Sequence, residues 1–163
     1  MNALMKSYPI DEVKKSRMNM SDLVEWIDSD GDLIERHLDM TDEKHTKHYF
    51  ANGAYVREMS VPANTVVVGR IHKYETINIL LEGEIEIVNE DGTRKSLKAP
   101  HVFIAPPGNQ KAAITITPVR WLNSMACKTT DHKEAEKLLT CETIQEYNKF
   151  ADEQRALTLR GDL

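Results

Sequence analysis

Between Gly53 and Cys127 apolar and polar residues alternate in short runs, a period of two that sends successive side chains to opposite faces of a strand. The runs Tyr55 to Val61, Thr65 to His72, Thr76 to Leu81, Glu84 to Asn89, Arg94 to Leu97, Val102 to Ala105, Ala112 to Thr117 and Arg120 to Cys127 are rich in Val, Ile and Thr and are predicted as strands. Turn residues separate them: Pro62–Ala63–Asn64, Glu82–Gly83, Asp91–Gly92 and Pro106–Pro107–Gly108. Asp91–Gly92 is the strongest hairpin signal, since a two-residue type I′ turn needs positive φ at both central positions. Short strands at this spacing predict an antiparallel sandwich or barrel, and the missing helix–strand alternation excludes Rossmann and TIM architectures.

The flanks follow a different period. Ser21 is placed to cap a helix through Trp26 and Ile27, and Leu33, Ile34 and Leu38 extend an apolar face beyond a break at Ser29–Asp30–Gly31–Asp32. After Thr130, Asp131 and Glu134 have the spacing of a capping box, and Ala135, Leu138 and Leu139 recur at helical intervals. Ile144, Tyr147 and Phe150 or Ala151 continue the stripe on a second helical segment. The predicted organisation is an N-terminal helical extension packed on the barrel (1–52), the barrel (53–127) and a C-terminal helical segment (128–163).

Composition narrows the function classes. The 163 residues suit one domain, and 40% hydrophobic with 29% charged residues is a globular balance. Twenty-one Lys and Arg against 26 Asp and Glu give a net charge of −5, so no global field draws the chain to nucleic acid or anionic lipid. No apolar run approaches a membrane span or a signal-peptide core, which predicts a cytoplasmic protein. Cys127 and Cys141 lack CxxC spacing and read as two buried thiols. His45 and His48, spaced to share one face of a helix, lie in a charged run that reads as exposed surface, and His37, His101 and His132 have no partner pattern. No nucleophile elbow, phosphate-binding loop, HisGluxxHis or paired-cysteine zinc pattern is present.

Two segments carry a resemblance: Gly69 to Glu84, with its Leu81–Glu82–Gly83–Glu84 turn, and Pro100 to Lys111, with Phe103–Ile104–Ala105–Pro106–Pro107–Gly108. They resemble the first and second motifs of the cupin superfamily, which implies a mainly β chain: a single cupin-type antiparallel jelly-roll barrel with flanking N- and C-terminal helices and a pocket inside. The likeness covers about half of the chain, Gly53 to Cys127. Metal-binding cupins place three His and one Glu at positions that here hold Arg70, His72, Thr76 and Lys111. Pro100 stands for the Gly that opens the second motif, and Thr115 for its closing Asn. Arg and Lys repel a divalent cation, so no cofactor is expected. The alternative is a metal on His72 and Glu75; strand parity aims Glu75 outward unless a bulge at Tyr74–Glu75 returns it.

If the resemblance holds, Arg70, His72, Thr76, Asn78, Lys111, Ala113 and Thr115 face the barrel interior together. Two cations and a His in one cavity need an anion, because unpaired buried charge is costly. One reading makes this a small-molecule binding module that holds, and by holding sequesters, an anionic ligand. Arg70 would be its bidentate donor, Lys111 a point charge, and His72 a hydrogen-bonding or proton-exchanging group. Tyr55 and Arg57 share parity with Met59 and are further candidates. A second reading pairs Arg70 and Lys111 with Glu75, Glu82 or Glu84 at a solvated rim. A third, drawn from related barrels, is a metal-independent sugar-nucleotide epimerase or isomerase with His72 as base and Tyr55 or Tyr74 as acid. A fourth is a packed structural module, its flanking helices building a homodimer or larger homo-oligomer. The compact Lys- and Glu-rich style resembles that of small phage-encoded proteins, which suits sequestration.

Overall fold

The computed structural model describes residues 6–9, 22, 25, 38–39, 43–88 and 92–160. Its strands are β1 (Lys6–Pro9), β2 (Leu38–Asp39), β3 (Thr46–Ala51), β4 (Ala54–Val61), β5 (Thr65–Val68), β6 (Ile71–His72), β7 (Thr76–Glu82), β8 (Glu84–Val88), β9 (Arg94–Lys98), β10 (His101–Ala105), β11 (Ala112–Thr115), β12 (Val119–Ala126) and β13 (Thr140–Cys141). Two helices, α1 (His132–Leu139) and α2 (Ile144–Arg160), follow the barrel strands, with β13 between them. One sheet runs β2-β1-β5-β11-β8-β9, a second β10-β7-β12-β4-β3, and β13 pairs with β6 alone. Every pairing among the described strands is antiparallel, the arrangement of a jelly roll.

The inner faces meet in one core. Met59, Val61, Leu80, Val119 and Trp121 from the second sheet pack against Val67, Ile85, Ile87, Leu97 and Ala113 from the first. The alternation seen in the sequence is the reason: β4 and β12 bury every second residue along their length. A smaller cluster of Tyr55, Met125, Cys127, Ala135 and Leu139 seats α1 on one end of the barrel. Both cysteines are free and buried.

Two glycines show why the motif turns are what they are. Gly83 has φ +88°, and a Cβ there would stand 2.3 Å from the Pro118 carbonyl oxygen. Gly108 has φ +77°, and its Cβ would meet the Tyr147 ring at 2.5 Å, so α2 lies directly on the second motif's turn.

Two expectations need correction. The segment before Gly53 is not wholly helical: β1 pairs with β5 and β3 with β4, so the sheets reach into it. In β3 the alternation of Thr46, His48 and Phe50 was masked by a charged composition that reads as exposed surface. The helix expected after Ser21 lies outside the described residues except at Asp22 and Glu25, both helical, while Leu38 belongs to a strand. The run Thr65 to His72 breaks at Gly69–Arg70, where Gly69 N–H donates to the Lys111 carbonyl at 2.9 Å. The β8–β9 pairing is described as far as Val88 and Arg94, and the turn expected at Asp91–Gly92 lies outside the described residues at Asp91. No helix among the described residues is long and apolar enough to cross a membrane.

Candidate functional site

A cavity inside the barrel is lined by Arg57, Arg70, His72, Thr76, Asn78 and Lys111, together with Asn109, Trp121 and Asn123 and an apolar wall that includes Met59 and Val67. It exists because Gly69, Ala105 and Ala113 have too little side chain to fill the space between the sheets. About 40 Å³ is open to the centres of water-sized molecules, so the cavity holds more than a single water.

Sheet register builds the polar wall. Phe103, Asn78, Asn123, Arg57 and His48 stand side by side across β10, β7, β12, β4 and β3. Arg57 Nη2 donates to Asn123 Oδ1 at 3.1 Å, Asn123 Nδ2 to Asn78 Oδ1 at 2.9 Å, and Asn78 Nδ2 to the Thr76 carbonyl at 2.9 Å. Thr76 Oγ1 lies 2.7 Å from His72 Nδ1, which extends the network to the mouth strand β6.

The charges on this wall are unusual. Arg57 is 7% exposed, and no carboxylate among the described residues lies within ion-pair distance of it. Burial lowers its pKa, yet a guanidinium stays protonated. Lys111 has its ammonium 4.4 Å from the centre of the Phe103 ring, and burial brings its pKa down to about 8. Burial, then Arg57 and Lys111, hold His72 at about 3, so its imidazole is neutral near pH 7. No Asp or Glu lines the cavity among the described residues.

The six ligand-binding candidates therefore meet at one cavity, but in altered roles. Arg70 is paired with Glu136 at 3.2 Å and Glu142 at 3.4 Å, carboxylates of the C-terminal segment rather than Glu75, Glu82 or Glu84. The pairing of β13 with β6 brings those two glutamates to it. Of the two cavity guanidinium groups, Arg57 rather than Arg70 has no carboxylate within ion-pair distance among the described residues. Thr115 is buried but faces elsewhere: its hydroxyl donates to the Pro62 carbonyl at 2.6 Å and accepts from Thr65 N–H.

The acid–base pair of the epimerase reading is not assembled. Tyr55 faces inward, but its hydroxyl lies 2.8 Å from His48 Nδ1 beneath α1 and is not among the cavity-lining groups. Tyr74 is exposed and meets Phe150 edge-on. A His72 with a pKa near 3 does not exchange protons at neutral pH. His48 is on a strand rather than a helix, and it stacks on His132 with ring centres 4.4 Å apart, a partner that spacing did not reveal.

A metal does not fit the donor set. Glu75 is exposed, leaving His72 as the single ligand-type side chain among the four positions that the cupin likeness marks. Arg57 and Lys111, which already disfavour a proton on His72, would disfavour a divalent cation more strongly. Sequence reasoning missed Trp121, Asn123 and Asn109. The inward parity of Trp121 and Asn123 with Met125 was legible, but their register against Arg57 and Asn78 was not.

Two antiparallel sheets closed around this cavity, with turns at Gly83 and Gly108, form a jelly-roll barrel. No protein-family model and no curated protein matches the sequence. Solved structures are similar over about half of the chain. A cupin-2 domain protein from Shewanella frigidimarina aligns with 50% of this chain and 79% of its own, at 14% identity and a TM-score of 0.43. KdgF from a Halomonas species aligns with 50% of this chain and 77% of its own, at 15% identity and a TM-score of 0.43. The cupin domain of Schizosaccharomyces pombe Cnp3 aligns with 56% of this chain and 68% of its own, at 24% identity and a TM-score of 0.43.

Proposed function

We propose that the barrel is a metal-free binding module for a small anion, held directly by Arg57 and Lys111 with His72 as a neutral hydrogen-bonding neighbour. One observation carries the reading: three cations, Arg57, Arg70 and Lys111, border the same cavity, Arg70 alone among them with carboxylates in ion-pair distance, and no carboxylate lines the cavity among the described residues. Buried charge without a partner is costly, and an anion supplies the missing partner. Arg57 is prepared for that role, because the Asn123 amide orients its guanidinium fork.

Calorimetric titration with acetate and inorganic phosphate tests the reading. Arg57→Leu and Lys111→Met are each expected to weaken the better-binding anion by roughly 10- to 100-fold, the worth of a charge-assisted hydrogen bond. Melting temperatures measured without anion should hold or rise, since each change removes an uncompensated charge. Affinity that ignores both substitutions removes the proposal.

A further inference from the structure

The seam where the two sheets part holds a second space. β9 ends the first sheet and β10 ends the second, and among the described residues no backbone ladder joins them, so side chains bridge this flank of the barrel. A groove lies there, with Ile87 and Leu97 of the first sheet on one side and Phe103 and Ile104 of β10 on the other. Lys95, His101 and Lys111 also line it, and among the described residues no Asp or Glu does. About 310 Å³ of the groove is open to the centres of water-sized molecules, against about 40 Å³ in the barrel cavity.

Groove and cavity adjoin. Ala105, Asn109 and Lys111 line both, and the Lys111 ammonium stands 4.4 Å from the centre of the Phe103 ring, which lines the groove. Among the described residues Lys111 is the one cation common to the two spaces. Arg57 and Lys111 call for a negative group, while the groove offers an apolar wall with no carboxylate to repel that group. A small inorganic anion satisfies the cations and leaves the groove to water. An anion that carries an aliphatic chain fills both spaces, and each methylene it buries adds affinity.

We infer that the ligand is an alkyl anion: its head group, a carboxylate or a phosphate, is held at Lys111 and Arg57, and its aliphatic chain lies in the groove between β9 and β10. This inference rests on the anion-binding reading and names the ligand class. Leu97, Phe103 and Ile104 then set specificity for the chain, a role that the barrel cavity alone does not give them.

Acetate, butanoate and octanoate share a head group and differ in chain length, and octyl phosphate exchanges the head group. Calorimetric titration is expected to show affinity rising about two- to four-fold per added methylene, the worth of a partly to fully buried CH2. Methyl NMR of the unmodified protein reads the place. Octanoate should shift the methyl signals of Ile87, Leu97 and Ile104, and acetate should leave them where they are. Val102 and Ile77, exposed on the second sheet, should move with neither. Tighter binding of octyl phosphate than of octanoate, with the same groove shifts, supports the inference with a phosphate head; the reverse order supports it with a carboxylate. Affinity independent of chain length, lost in Arg57→Leu or Lys111→Met, overturns the alkyl inference and leaves the anion reading standing. Octanoate that shifts Val102 and Ile77 but not the groove methyls overturns it likewise, as adhesion to an exposed apolar face. No binding of any of the four overturns both.

Discussion

Arg57 reaches the cavity from β4 and Lys111 from the residue just before β11, and the burial around them makes the site sensitive to pH in two directions. His72 has a folded pKa of about 3 against an ordinary 6.5. Between those values the unfolded chain binds a proton that the folded chain refuses, so stability is lost as pH falls from 6.5 toward 3. Denaturant unfolding at pH 7 and pH 4 should show a smaller acid loss in His72→Asn than in the unmodified protein; an identical loss would contradict the assignment. Lys111 behaves oppositely for binding, with a pKa near 8 in place of 10.5. Anion affinity should be flat below about pH 8 and decline above it as the ammonium discharges, and Lys111→Met should flatten that decline.

Secondary-structure elements were the most legible level, since they depend on near neighbours. All eight runs between Gly53 and Cys127 form strands, one of them split at Gly69–Arg70. Asp131 caps α1 through Glu134 N–H at 2.8 Å. Glu134 does not complete the reciprocal box; its carboxylate accepts from Thr129 Oγ1 instead. Element-level predictions separate strain from capping. Gly83→Ala forces a side chain onto positive φ and against the Pro118 carbonyl, a loss on the order of 3 kcal/mol or more. Asp131→Ala removes one cap and should cost about 1 kcal/mol. Urea denaturation of the two variants should rank them in that order, and equal losses would show that the Gly83 turn relaxes.

For the whole molecule, the C-terminal segment does more than cover the barrel. It adds β13 beside the cavity strand β6 and delivers Glu136 and Glu142 to Arg70, leaving Arg57 and Lys111 as the cations that act on the cavity. Converting both glutamates to glutamine should let more of the Arg70 charge reach the cavity. Anion affinity should then rise by about two- to five-fold, the scale of a partly exposed ion pair. Unchanged affinity in Glu136→Gln/Glu142→Gln would mean that the Arg70 charge does not reach the bound anion.

Strand positions and turns were readable from residue order, because a two-residue period and turn chemistry are local properties of the chain; the inward placement of His72, Thr76, Asn78 and Lys111 was implied by the cupin resemblance, and the face of Arg57 stayed open. Which cation keeps an unbalanced charge was not readable. It depends on the long-range pairing of β6 with β13, which brings Glu136 and Glu142 within ion-pair distance of Arg70, while Arg57 feels Glu136 only as a more distant charge. The same holds for Trp121 and Asn109, which line the cavity only because distant strands enclose it.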